Sequence, residues 1–347
     1  MPKLAFGGST GQTGKWVKLG WPVIFFPVAL MVAMHVYNNQ LLLLDLVVYL
    51  ILAQGVNIIY GFTGYLPFGY FGFFGAGAYG AALAVNYLSV DGILAVVAGG
   101  ILAVVLAVIL IPLLRLSGAY FGLASLAAAE SVYLVVANPS LASITKGPYG
   151  VNLEAIFNPN LAYLVGVILV GISIAVVVYL RVSHFGLSLR AIKSDPVTAS
   201  LAGVNVPAAR SIAWLLAAAL AGLAGGVFAW ITSVFYPETV FSINVSVFAI
   251  VFALFGGVGS VLGPILGGTA LYILYEFIGI SSPQYFQLIY GGLIVFLTLF
   301  LPGGLASLVE IFRRRVPRSR AEMDVSQGLG IHAPLAVGGR SADSSDE

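Results

Sequence analysis

Ile93-Leu-Ala-Val-Val-Ala-Gly-Gly-Ile-Leu-Ala-Val-Val-Leu-Ala-Val-Ile-Leu-Ile-Pro-Leu-Leu114 runs from Asp91-Gly92 to Arg115 without one charged side chain. Coiled as a helix it would extend about 33 Å, enough to cross a hydrocarbon core ~30 Å thick. Comparable stretches lie near 21–37, 41–62, 66–88, 117–137, 161–180, 211–235, 243–259, 261–280 and 285–302. With 92–114 they make about ten candidate transmembrane helices, and they predict an all-α integral membrane protein.

Composition points the same way: 60% of the 347 residues are hydrophobic and 8% charged, against about 25% charged in soluble domains. The net charge of +2 gathers at the ends, in Lys3, Lys15 and Lys18 before the first span and Arg313, Arg314, Arg315, Arg318 and Arg320 after the last. That distribution suits anionic lipid headgroups rather than nucleic acid. Cysteine is absent, which removes disulfides, thiolate metal sites and catalytic thiols. The run Trp21 to Met34 is followed by His35, Tyr37, Asn38, Asn39 and Gln40 rather than a small-residue cleavage site, so it reads as an uncleaved first span.

Lys- and Arg-rich loops stay cytoplasmic. With the N-terminus inside, ten crossings put Arg115, the loop 181–210 (Arg181, Arg190, Lys193 and Arg210) and the Arg-rich tail inside, and Asp91, the loop 138–160 and Glu238 outside. Every charged loop then obeys the rule, so a multi-pass protein of the inner or plasma membrane with both termini cytoplasmic is expected. The expected organisation is a cytoplasmic leader at 1–20, a transmembrane domain at 21–302 and a basic, then disordered, cytoplasmic tail at 303–347. Segments 66–88 and 243–280 carry glycines and prolines that suit broken or re-entrant spans as well as full ones. Blocks 41–137 and 211–302 each hold four crossings starting from opposite sides, which admits an inverted repeat.

Glycine is the densest signal, with Gly61, Gly64, Gly69, Gly72, Gly75, Gly77 and Gly80 crowding the third span and its entry. Pairs such as Gly118-x-x-x-Gly122, Gly222-x-x-x-Gly226 and Gly263-x-x-x-Gly267 are ordinarily tight-packing devices. The dense cluster adds a functional reading, in which Gly64, Gly69, Gly72 and Gly75 line a conduit. Glu130 stands inside the fifth span, where an ionised carboxylate costs about 2.5 kcal/mol or more unless it meets water or a partner. It is the fifth candidate for the path, with a structural hydrogen bond between helices as the alternative. Gln54, Asn57, Asp45 and Glu276 are weaker cases.

The stretch Gly7 to Lys15 resembles a phosphate-binding loop but has Ser9 where Gly is required and Trp16 where Ser or Thr is required. If ATP drives this protein, another polypeptide binds it. His35, His184 and His332 are scattered, and no carboxylates sit at a metal or acid–base spacing, so no catalytic or metal site and no cofactor on this chain is expected. In the loop 181–210, Asp195-Pro196 has the form of a helix start and Gly203 of its stop. One short capped helix of about two turns results, more than orientation alone requires, and it suits a docking knob for a cytoplasmic partner.

Taken in order, Gly61-Phe-Thr-Gly-Tyr-Leu-Pro-Phe-Gly69, Phe73-Phe-Gly-Ala-Gly-Ala-Tyr79, Ala129-Glu130, Thr145-Lys-Gly-Pro-Tyr-Gly150, Leu189-Arg-Ala-Ile-Lys-Ser-Asp195 and Gly256-Gly-Val-Gly-Ser-Val-Leu-Gly-Pro264 resemble the permeases of branched-chain amino-acid ABC importers, in particular their LivM-type subunit. Ala199 with Gly203-Val-Asn-Val206, Ala217 to Gly226, Tyr290-Gly-Gly292 and Leu301-Pro-Gly-Gly304 continue the similarity over most of the membrane domain. The resemblance implies a type II-like ABC importer permease that pairs with a second homologous permease subunit, two cytoplasmic ATP-binding subunits that use the ATP, and an extracytoplasmic solute-binding protein. It also implies that Asp195, Ala199 and Gly203 belong to the coupling helix. Pro67 and Tyr70 stand where the family often has Ser and His, and Pro196 where an acidic residue is common. Urea or short-chain amides as solute, or ion-coupled secondary transport, stay open as alternatives.

Overall fold

The computed structural model describes residues 10–36 and 40–281, with isolated helical positions at 288, 291, 292 and 295. Its helices in chain order are α1 (Thr10–Val36), α2 (Gln40–Val56), α3 (Phe71–Leu88), α4 (Gly92–Ile109), α5 (Gly118–Val136), α6 (Ala142–Thr145), α7 (Pro159–Val182), α8 (His184–Ser194), α9 (Pro196–Leu201), α10 (Val206–Thr232), α11 (Pro237–Val240), α12 (Ile243–Gly256) and α13 (Gly263–Ser281). α2 ends in a π-helical turn, Asn57–Gly61, and a 3₁₀ turn, Phe68–Tyr70, leads into α3. Two short strands, β1 (Val151–Asn152) and β2 (Val234–Phe235), pair antiparallel with Val151 opposite Phe235.

Seven helices among the described residues are long and apolar enough to cross a membrane: α2 with its π turn, α3, α4, α5, α7, α10, and α12 joined to α11. This corrects the sequence-based count of about ten. The described apolar parts of α1 and α13, Gly20–Val36 and Gly263–Ile278, are shorter. The candidate at 285–302 and the unit Leu308–Glu347 fall outside the described residues, as do the 290–292 and 301–304 motifs apart from two isolated glycines. α1 begins at Thr10, within the segment expected as leader.

Small residues make α10 the hub, since it packs against α2, α3, α4 and α7. A Cβ added at Gly77 of α3 would strike the carbonyl of Gly222 of α10, and one at Gly99 of α4 would strike the carbonyl of Gly77. One at Gly225 would strike the carbonyl of Phe74. Three backbones therefore touch without side chains between them. Membrane helices have no hydrophobic effect to drive them together, so such close van der Waals contact holds the centre. Trp214 adds a fixed point by donating its indole N–H to the Ala107 carbonyl at 3.0 Å.

Two crossings are interrupted, one between α2 and α3 and the other between α10 and α12. α4 packs on both α3 and α10, and α13 packs on both α12 and α2. Setting α2 against α10, α3 against α12 and α4 against α13 matches these contacts between the two blocks, whereas the contacts of α5 have no counterpart among the described residues.

Gly77→Leu should prevent a folded chain from accumulating, because overpacking costs about 1–3 kcal/mol or more where nothing can move aside. Gly20→Leu should accumulate normally, since nothing lies within 4 Å of a Cβ there. Fluorescence-detected size-exclusion chromatography of detergent extracts would compare them, and equal monodisperse peaks would refute the packing argument.

Candidate functional site

The irregular segment between α2 and α3 lies inside the bundle, with Thr63, Tyr65, Gly69 and Tyr70 buried. Tyr70 donates its hydroxyl proton to the Ala217 carbonyl at 2.7 Å. Ala217 is eleven residues into α10, or about 16 Å along its axis. The chain therefore climbs deep into the bundle before α3 starts. Its backbone amides are met by hydroxyls from two other helices: Gly69 N–H donates to Ser125 Oγ of α5 at 3.2 Å, and Phe71 N–H donates to Ser246 Oγ of α12 at 2.7 Å. An unpaired amide at this depth would cost several kcal/mol, so the two serines make the break affordable within the bundle.

A second polar cluster ties the end of α2 to the turn between α12 and α13. Asn57 accepts from Gly259 N–H at 2.6 Å and donates to the Ser260 carbonyl at 2.9 Å. Gln54 donates to the Val261 carbonyl at 3.2 Å and accepts from Asn57 at 3.3 Å. Basic residues from the next loop grip the same junction: Lys193 donates to the Gly61 carbonyl at 3.0 Å and lies 5.7 Å from the centre of the Tyr60 ring. Arg181 donates to the Gly259 carbonyl. Partial burial lowers the Lys193 pKa below the usual lysine range.

The loop beyond α7 holds two helices rather than the single one expected. α8 starts on Ser183, whose side chain accepts from Gly186 N–H at 3.1 Å, and Leu189 and Ile192 bury its inner face. Its signal was the Ser183 cap followed by Phe185, Leu189 and Ile192 at helical spacing. α9 begins and ends where Asp195-Pro196 and Gly203 indicate. Asp195 accepts from the Thr198 hydroxyl and from Val197 N–H, and these bonds hold its carboxyl below the usual carboxylate range. At the other end Gly203, at φ +89°, closes the helix with Val204 N–H bonded to the Ala199 carbonyl and Gly203 N–H to Ser200.

The family described as branched-chain amino acid transport system / permease component matches residues 40–298, which contain both polar clusters and the α8–α9 loop. The chain belongs to this family. Among similar proteins, the high-affinity branched-chain amino acid transport system permease protein LivM of Escherichia coli K12 is 27% identical over 302 residues, covering 76% of this chain and 68% of LivM. LivH of the same organism is 27% identical over 139 residues, covering 40% and 44%. A probable LivH of Methanocaldococcus jannaschii is 35% identical over 86 residues, covering 25% and 26%. No solved structure matches the chain. The protein is thus a multi-pass permease component of an ABC transport system.

Of the four glycines read as conduit candidates, three sit in close contact with neighbouring groups. A Cβ at Gly69 would strike the Ser125 carbonyl, one at Gly72 would press on Ala129, and one at Gly75 would press on the Phe241 ring. Gly64 is exposed and holds φ +82° at the turn beside Lys193. Glu130 is not brought together with them: it lies exposed on α5. Of the coupling residues, Asp195 caps α9, Gly203 closes it, and Ala199 is buried beneath it. The outward surface belongs instead to Val197 and Leu201, 68% and 85% exposed, which sequence reading passed over because apolar residues in a membrane protein carry little contrast. Ser125, Ser246, Gln54 and Asn57 gain their roles only through partners far along the chain.

Asn57→Leu should lower the permease's stability by about 1–3 kcal/mol, the cost of leaving buried backbone partners unmet. Asn57→Ala should behave alike, and Thr269→Ala, outside the cluster, should not. Thermal unfolding in detergent would measure this, and unchanged unfolding temperatures for both Asn57 variants would refute the role of the junction.

Proposed function

We propose that this chain and a second homologous permease subunit together form the conduit of a branched-chain amino acid importer, driven by two cytoplasmic ATP-binding subunits and loaded by an extracytoplasmic solute-binding protein. In this reading the chain binds no ATP itself, and its basic end, with Arg181, Arg190, Lys193 and Arg210, faces the cytoplasm along with both termini. The family match and the likeness to both LivM and LivH support it. The observation that carries it is α9, whose Val197 and Leu201 stand i, i+4 on one outward face of a loop beyond the apolar spans. Exposed apolar side chains there have neither lipid nor a core to cover them and suit a partner's groove.

Force on that knob has a path inward. α9 follows α8 directly, and Lys193 near the end of α8 is bonded to the end of α2, while Arg181 reaches the turn before α13. A push on α9 would therefore reach the end of α2 and the turn between α12 and α13. Toward the second permease subunit, Tyr120, Leu123, Ala127, Glu130 and Leu134 form an exposed stripe on α5 at heptad spacing. A glutamate facing lipid in mid-stripe would cost about 2.5–3.5 kcal/mol, which favours a protein or aqueous neighbour there.

Val197→Asp combined with Leu201→Asp should lower leucine uptake in cells at least tenfold, with membrane levels of the chain unchanged and less ATP-binding subunit co-purified. Wild-type uptake with full retention of that subunit would overturn the proposal. Uptake that persists without ATP while ion gradients are held would favour ion coupling instead.

A further inference from the structure

At the end of the bundle opposite the basic loops, the last turns of α5 meet the segment between α10 and α12. Tyr133, Ala137, Pro148, Tyr236, Pro237 and Glu238 line a cleft of about 110 Å³ between them. Glu130, one turn before Tyr133, and Glu238 both act electrostatically on the Tyr133 hydroxyl. Both carboxylates are exposed. Neither has a basic partner among the described residues; Glu238 lines the cleft, and Glu130 stands one helical turn before Tyr133, which lines it too.

Behind them stands Tyr79 of α3, only 2% exposed. Its ring is held edge-on by Phe235 at 5.5 Å and tilted against Phe241 at 6.0 Å. Its hydroxyl has no hydrogen-bond partner among the described residues, and the Phe241 ring it packs on also meets the ring of Tyr133, at 6.1 Å. A buried phenol is normally bonded, and a phenylalanine would fill the same space. The orphan hydroxyl and the unpaired carboxylates therefore point to one missing group that is positively charged and donates several hydrogen bonds.

We propose that Glu130, Glu238, Tyr133 and Tyr79 form a site for the primary ammonium group of an amino acid entering the conduit. An ammonium has three N–H donors and no acceptor; the two carboxylates and a tyrosine hydroxyl supply three acceptors. The rings of Tyr133 and Tyr236 add faces that attract an organic cation. Among the described residues no three His, Cys, Asp or Glu side chains cluster as metal ligands, so an organic cation fits better than a metal ion. The amino acid's own carboxylate would point away from the glutamates, toward the open side of the cleft. Urea and simple amides carry no such charge, so the site selects amino acids from the solutes of related importers.

This inference rests on the reading of the chain as an amino acid permease, and the experiment separates the two. Radiolabelled leucine uptake is measured in cells that carry the wild-type chain, lack it, or carry Tyr79→Phe or the double variant Glu130→Gln with Glu238→Gln. The same chains are purified for thermal unfolding. The expected result is at least a tenfold loss for the double variant and at least a threefold loss for Tyr79→Phe, both with wild-type unfolding temperatures. Uptake within twofold of wild type in both variants would overturn the site while leaving the permease reading intact. Loss of uptake together with a lowered unfolding temperature would also overturn it, since the groups would then serve folding. Equal uptake in cells with and without the chain would overturn the permease reading itself.

Discussion

A backbone that leaves helical form inside a membrane protein must have its amides and carbonyls met by other protein groups. The passage from α2 to α3 works under that constraint, and much of the structure is arranged to satisfy it. Ser125 and Ser246 each present a hydroxyl to an amide of this passage, from α5 and α12. α5 can approach only because Gly69 and Gly72 have no side chain to hold it off. Tyr70 is anchored on the Ala217 carbonyl, and the room for its ring is supplied by Gly55, where a Cβ would fall on the hydroxyl. Glycine density and hydroxyl placement are thus one design: close approach brings the hydroxyls within reach, and the hydroxyls make the break tolerable.

The same constraint explains the junction at the other end of the break. The π turn Asn57–Gly61 displaces backbone carbonyls from regular helical pairing, and the Gly61 carbonyl finds Lys193. The turn between α12 and α13 is just as irregular, with positive φ at Gly257 and Gly259; Asn57 meets it with both the oxygen and the nitrogen of its amide, and Gln54 with its nitrogen. The break after α2 and the turn between α12 and α13 are therefore stabilised by each other and by basic residues at the end of α7 and on α8. A bundle built this way has few independent parts, and a displacement of α8 is felt at two breaks together.

The membrane class and the positions of most crossings were legible in the sequence because apolar runs such as 93–114 state their length directly. α9 was equally legible, since Asp195-Pro196 and Gly203 are local signals whose chemistry acts within four residues. The count of crossings was less so: of the ten apolar runs, that at 285–302 lies outside the described residues, and the described apolar parts of α1 and α13 fall short of a full span. The role of the glycines was half legible: their spacing announced close approach but not whether the neighbour would be a solute or the Ser125 carbonyl. Asn57 and Ser246 were opaque as partners of the breaks. Their hydrogen bonds span about two hundred positions, and no local pattern carries that information.

Glu130 shows how a local rule and a packed structure divide the work. Its cost inside a span marked it as a residue with a purpose, and within this chain it lies on the exposed face of α5. A carboxylate clamping two helices of this chain would instead be enclosed and bonded, as Asn57 is. Residues that face a solute must stay unbonded within their own chain, because a group already satisfied offers little to a ligand. Within one bundle, then, the polar groups divide into two kinds. Ser125, Ser246, Gln54 and Asn57 are fully engaged and hold the breaks in place. Glu130 and Glu238, exposed, and the buried Tyr79 hydroxyl have no side-chain or backbone partner among the described residues, and this contrast, more than the identity of any one residue, distinguishes the groups that hold the breaks from those left available to a neighbour or ligand.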